Sequence, residues 1–123
     1  MPAPEVQIGG NGSLFVGEDK TFELELVDTA GDPVEMTGWA VKLVVRKGDA
    51  TADPAIFDKT ASITGVYDPV RATNTQRAVV TLTDTEMNTV KAKTYRHSWK
   101  RMDDGSETVL AYGNFVVQKA TAP

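Results

Sequence analysis

Hydrophobic and polar residues alternate with a period of two along most of this chain. That spacing turns one face of a β-strand toward a core and the other toward water. Residues 21–28 read TFELELVD, with Phe22, Leu24 and Leu26 on one side and Glu23 and Glu25 on the other. Residues 39–46 read WAVKLVVR, and Trp39, Val41, Leu43 and Val45 share a face opposed by Ala40, Lys42, Val44 and Arg46. In residues 77–83 Ala78, Val80 and Leu82 fall together, and Tyr95, His97 and Trp99 alternate with Arg96, Ser98 and Lys100. Residues 109–118 offer Leu110, Tyr112, Phe115 and Val117 as anchors. Shorter runs at residues 14–16 and 56–63 bring the expected count to about seven strands.

The punctuation between these runs is that of turns. Ala30-Gly31-Asp32-Pro33 and Asp103-Asp104-Gly105 are turn sequences, and the second joins two alternating runs as a hairpin. Residues 67–76, with Pro69 and Asn74, form a longer loop. One short helix is expected at residues 84–90. Thr83 followed by Glu86 makes a capping box there, and Met87 and Val90 form its apolar stripe. The expected fold is all-β, an immunoglobulin-like antiparallel β-sandwich of about seven strands with that single helix, and an open barrel is its rival. Residues 1–12, rich in proline and glycine, read as a flexible N-terminal arm, residues 13–119 as the sandwich domain and residues 120–123 as a C-terminal tail. Within the arm, Pro2, Pro4, Val6 and Ile8 are the candidate partner-contacting residues, since flexible ends with a few apolar side chains order on neighbours.

Composition narrows the function classes. At 123 residues, 41% hydrophobic and 24% charged, the chain is ordinary globular protein of one-domain size. The net charge of -4 disfavours nucleic acid, which needs a basic face, and offers no polybasic patch for a membrane. There is no cysteine, so no disulfide and no thiolate metal site can form. The N-terminus has neither a basic segment nor an apolar run of signal-peptide type, which predicts synthesis in the cytoplasm without export.

Candidate chemistry is thin. His97, the sole histidine, is the natural general base, but it sits mid-strand on an apolar face with no G-x-S-x-G nucleophile motif, which favours a structural role. Glu23 and Glu25 fit a solvated strand face. Asp103, Asp104 and Glu107 cluster at a turn, where aspartates serve backbone hydrogen bonding. Asp28, Asp32 and Glu35 bracket a loop that would interest calcium, yet the EF-hand spacing is not met, and an Asx-type turn is the preferred account. Trp39, Trp99, Tyr95 and Tyr112 would make a sugar-stacking platform if exposed, although their apolar faces point to burial. No phosphate-binding glycine loop is present: Gly9, Gly10 and Gly12 precede no strand–helix unit. These readings predict no catalytic residue, no cofactor and no metal.

The order of motifs carries a resemblance. Asp28-x-x-Gly31-Asp32-Pro33-Val34-x-Met36-Thr37-Gly38-Trp39 leads into an alternating strand. Val80-x-Leu82-Thr83, Tyr95-x-x-x-Trp99, Asp103-Asp104-Gly105 and Tyr112-Gly113-Asn114-Phe115-Val116-Val117 follow. Over residues 20–118 this resembles the small immunoglobulin-like domains of tailed-bacteriophage virion proteins. It is similar in particular to the N-terminal domain of the baseplate upper protein family, where an aspartate–glycine–proline turn precedes a hydrophobic-Thr-Gly strand start. The resemblance implies a virion structural protein, either a capsid decoration (cement) protein or a tail or baseplate accessory protein. Its partners would be other phage virion proteins, contacted by many copies in a symmetric assembly. A carbohydrate-binding β-sandwich module is the alternative from another class, and a small hydrolase built on His97 is the third.

Overall fold

The computed structural model describes residues 8–9, 20–47 and 55–118. Two β-sheets pack face to face. The larger contains, in spatial order, β1 (Ile8–Gly9), β8 (Thr108–Val117), β7 (Lys93–Arg101), β3 (Val41–Arg46) and β4 (Ala55–Thr60). The smaller contains β2 (Lys20–Leu24), β6 (Arg77–Leu82) and β5 (Ser62–Thr64). All pairings are antiparallel except β1 with β8, which is parallel. This arrangement is an immunoglobulin-like β-sandwich of the kind that carries an extra strand beside its central three.

The alternation read from the sequence sets the core. Leu43, Val45, Ala78, Leu82, Phe115 and Val117 are buried between the sheets. The rings of Phe22 from one sheet and Phe57 from the other lie 5.6 and 6.5 Å from that of Phe115. Antibody domains place an inter-sheet disulfide at the heart of the sandwich, two residues beyond a tyrosine whose hydroxyl bonds back to the chain. Tyr95 is that tyrosine: it donates to the Lys91 carbonyl at 2.9 Å. Two residues on stands His97, packed edge-on against Phe115 at 6.4 Å. Aromatic packing joins the sheets where a disulfide would.

Several boundaries differ from those expected. The run at residues 56–63 is two strands in different sheets: β4 ends at Thr60, and Ala61, bonded to the Val41 carbonyl, carries the chain across to β5. An alternating pattern is blind to such a crossing because both sheets face one core. Residues 21–28 leave the ladder after Leu24. Val34 N–H then bonds to the Leu26 carbonyl, and Val27 bridges Pro33 around a tight turn. Trp39 precedes its strand instead of opening it. The helix α1 is only Asp84–Met87, followed by turns to Val90. Its capping box is formed as expected, but the β-branched Thr89 and Val90 and the lack of a basic last turn give it little reason to extend. The expected strand at residues 14–16 and the C-terminal tail lie outside the described residues.

Two ends of the sandwich follow from the register. At one end, here the loop end, β2 leads into the 25–40 connection, β5 into the 65–76 connection, and β7 turns into β8 at residues 102–107. At the other, the helix end, α1 leads through residues 88–92 into β7.

The 65–76 connection depends on Gly65. Its φ is +79°, and a Cβ there would fall onto the Thr75 carbonyl. Gly105 has a nearly equal φ of +78° but open space around it. Gly65→Ala should therefore lose roughly 2–4 kcal/mol in urea unfolding, and Gly105→Ala only about 1 kcal/mol. Equal losses would show that the close approach at Gly65 does not matter.

His97 makes a second prediction. It is 2% exposed, and neither ring nitrogen has a hydrogen-bond partner. Burial pushes its pKa down from 6.5 to about 4; the nearby backbone of Asn114 pulls it back in part, the Arg96 charge adds to the fall, and Gly113 offsets a little. Between these two pH values the unfolded chain takes up a proton that the folded chain refuses. Stability is thus fully present above about 6.5 and declines as pH falls toward 4, by an amount on the order of 3 kcal/mol. His97→Leu should flatten the urea midpoint across that window and cost little at neutral pH, since it removes two unpaired polar atoms. An unchanged slope would assign the acid sensitivity elsewhere.

Candidate functional site

The residues singled out for chemistry are dispersed by the fold. His97 points into the core between β7 and β8, with Phe115 against it and no hydroxyl nucleophile bonded to it. Glu23 is exposed on β2, while Glu25 lies 3.5 Å from Arg71 and 3.6 Å from Arg77 in an ion-pair cluster. Asp28 caps its own turn: one carboxylate oxygen accepts from Ala30 N–H at 2.9 Å and from Asp32 N–H at 3.0 Å. Glu35 accepts from the Thr37 hydroxyl at 2.8 Å. Asp28 is thus occupied as the builder of its own turn, which is the Asx-type account.

The four aromatics do not share a surface. Trp99 and Tyr95 are buried, at 3% and 4% exposure. Burial raises the Tyr95 phenol above its usual range, which its bond to Lys91 only partly offsets. Trp39 is half-buried beneath the Arg101 guanidinium, 3.9 Å from its ring centre. Tyr112 alone is exposed, on the outer face of the large sheet, with Arg96 5.9 Å from its ring. In the arm, Ile8 pairs with Phe115 in β8 of the same chain and packs on the core. Pro2, Pro4 and Val6 lie outside the described residues.

What the fold does assemble is the loop end. Gln76 is buried, and its amide oxygen accepts from Met36 N–H at 2.8 Å while its nitrogen donates to Thr37 Oγ1 at 3.0 Å. One side chain thereby ties the 65–76 connection to the 25–40 connection. Asn74, also buried, accepts from Asp68 N–H at 3.0 Å and holds the same loop closed from within. At the 102–107 hairpin, Asp103 Oδ2 accepts from Ala40 N–H at 3.0 Å and from Arg101 Nε at 2.8 Å. The Arg101 bond, then the Ala40 N–H, lowers the Asp103 pKa. Three connections are thus linked into one surface by paired polar groups.

Three apolar side chains stand exposed on these connections among polar neighbours. Val66 is 73% exposed, Val70 58% and Met102 37%. No alternation flags them, because they sit in a loop where period-two reasoning does not apply. Gln76 and Asn74 were equally hidden: the burial of Gln76 depends on partners some 40 positions away, and that of Asn74 on the closure of its own loop around Asp68. The glycine and proline spacing around them was the only signal, and it marked a loop without revealing the hydrogen bonds that close it.

At the helix end, Glu86 accepts from Lys59 Nζ at 2.8 Å and from Thr83 N–H at 3.1 Å, which lowers its pKa, the lysine bond contributing most. Beside this pair, Lys47, Lys91 and Lys93 surround a groove floored by Ile56, Val90 and Tyr95. None of these three lysines pairs with a carboxylate among the described residues.

No protein-family model matches the chain, and no curated protein matches it significantly. Among solved structures it is similar to the NK cell receptor Nkp44, described as a triggering partner in natural cytotoxicity. That likeness has 17% identity and a TM-score of 0.40, and covers 96% of this chain and 100% of the receptor chain.

Proposed function

We propose that this chain is a structural protein of a bacteriophage virion, a capsid decoration or a tail or baseplate accessory protein, and that it docks on other virion proteins without catalysing a reaction. The observation that carries docking is the loop end, where Val66, Val70 and Met102 are held out to solvent on connections made rigid by Gln76, Asn74 and Asp103. Exposed apolar side chains on a pre-ordered frame lose little entropy when a partner covers them, which favours binding. The dispersal of His97 and the carboxylates supports a non-catalytic role, because acid–base and nucleophilic chemistry need those groups within hydrogen-bond reach of one another. The virion setting rests on the motif order from Asp28 to Val117. Many copies on a symmetric particle would turn a modest contact into firm attachment through avidity. Pro2, Pro4 and Val6 belong to the same reading as additional contacts.

Immunogold labelling of purified particles of the encoding phage should place the protein on the virion, and its absence from particles would remove the virion setting. Val66→Asp with Val70→Asp should keep the native circular dichroism spectrum and urea midpoint, since both side chains are exposed. The same pair should lower particle occupancy by about tenfold or more, as expected for losing an interface anchor of about 1.4 kcal/mol. Full occupancy would move the docking surface away from the loop end.

A further inference from the structure

The two ends of the sandwich carry exposed side chains of opposite charge. The 102–107 hairpin ends in an acidic tip: Asp104 and Glu107 are exposed and, among the described residues, unpaired, while Asp103 is held inward by Arg101 and Ala40. Met102, 37% exposed, adds an apolar side chain beside them. At the helix end, Lys47, Lys91 and Lys93 rim a groove of about 410 Å³ floored by Ile56, Val90 and Tyr95. The space is that of roughly a dozen waters, enough for the side chains of a turn. Lys93 Nζ lies 5.2 Å from the Tyr95 ring centre, so one lysine is already turned over the floor.

Strand β7 separates knob and groove. It begins at Lys93 and ends at Arg101, next to the hairpin, and its nine residues span roughly 26 Å. A chain therefore cannot place its own acidic tip in its own lysine groove. A second copy can.

We infer that copies of this chain associate head to tail, the Met102–Asp104–Glu107 tip of one seated in the Lys47–Lys91–Lys93 groove of the next. Such a contact is heterologous: its two halves are different surfaces, so it repeats into a ring or a filament instead of stopping at a dimer. Opposite charges at the rim set register and speed encounter, and Met102 against Ile56 and Val90 supplies the apolar part. This deepens the docking proposal by naming one partner as another copy, and it stands independently of the virion setting.

The test is charge exchange, read by sedimentation velocity of the full chain across a concentration series at low salt. The native protein should sediment faster as concentration rises, and salt should weaken its association by about tenfold or more, because exposed charges are screened beyond roughly 8 Å at physiological ionic strength. Lys91→Glu with Lys93→Glu gives two acidic ends, and Asp104→Lys with Glu107→Lys gives two basic ends. Each variant alone should remain monomeric, and an equimolar mixture of the two should associate again. All four positions are exposed, and circular dichroism confirms the native fold in each variant. A native protein that stays monomeric at every concentration overturns the inference, as does a mixture that fails to associate. If the lysine variant alone loses binding to inorganic phosphate while native self-association is absent, the groove is an anion site instead. Immunogold labelling is unaffected by these results, so failure here and failure of the virion setting are separately visible.

Discussion

The molecule depends on the burial of Phe115 between two sheets that no covalent link holds together. Its ring is fully enclosed, with Phe22 reaching it from the small sheet and Phe57 and His97 from the large one. Tilted aromatic pairs at these separations add to the area they bury, by about 0.5–1.5 kcal/mol each. A chain without cysteine has no loop-closing bridge to restrict its unfolded state, so inter-sheet packing must supply the stability that a disulfide of about 2–4 kcal/mol provides in related architectures. His97 belongs to this arrangement. An imidazole kept neutral packs as a flat ring, and its two unpaired nitrogens are the cost of filling that space with a heterocycle.

The sequence was legible wherever one local rule decided the outcome. Period-two alternation located the core faces of β3, β6 and β7, because burial on one side of a sheet leaves no other pattern. In β8 it found Leu110, Phe115 and Val117, but the expected anchor Tyr112 is exposed and Ala111 is buried in its stead, where the pairing with β7 shifts register. The capping box at Thr83 and Glu86 and the hairpin at Asp103–Gly105 were likewise local and formed as read. Decisions involving distant partners were not legible. The crossing at Ala61 leaves the alternation of residues 56–63 undisturbed. Leu26 keeps the spacing of β2 after the chain has left β6, since a loop folded back on the core buries alternate residues just as a strand does. Val44, on the outward side of β3, is buried although the pattern placed it with the exposed residues. Gln76 shows the limit most sharply: a glutamine two residues past a buried asparagine looks like loop, and only the Met36 N–H across the loop end makes it a strut.

The candidate surface was illegible for the same reason. Valines 66 and 70 resemble core residues by composition, and their exposure follows from the closure of the loop at Gly65, Thr75 and Asn74. A flexible loop would fold such side chains inward. Here the backbone N–H and C=O groups that would have to move are already satisfied, so the apolar side chains stay out. Stability of the frame and availability of the surface are therefore one property.

Charge placement follows a related logic. A chain of net charge -4 could spread its basic residues evenly, and scattered surface ion pairs would contribute little to folding. Instead lysines 47, 91 and 93, unpaired among the described residues, meet around one groove at the helix end, while the carboxylates of Asp104 and Glu107, likewise unpaired among the described residues, stand on the hairpin at the far end of β7. No acid among the described residues pairs with these lysines. An acidic tip entering the groove would supply the carboxylates that these lysines lack. Partial desolvation of the groove over Ile56, Val90 and Tyr95 lowers the local dielectric and strengthens each lysine–carboxylate attraction relative to its value at an open surface. Because both halves of the contact sit on every copy, its strength is multiplied along an assembly, whereas a lone copy gains nothing from either half.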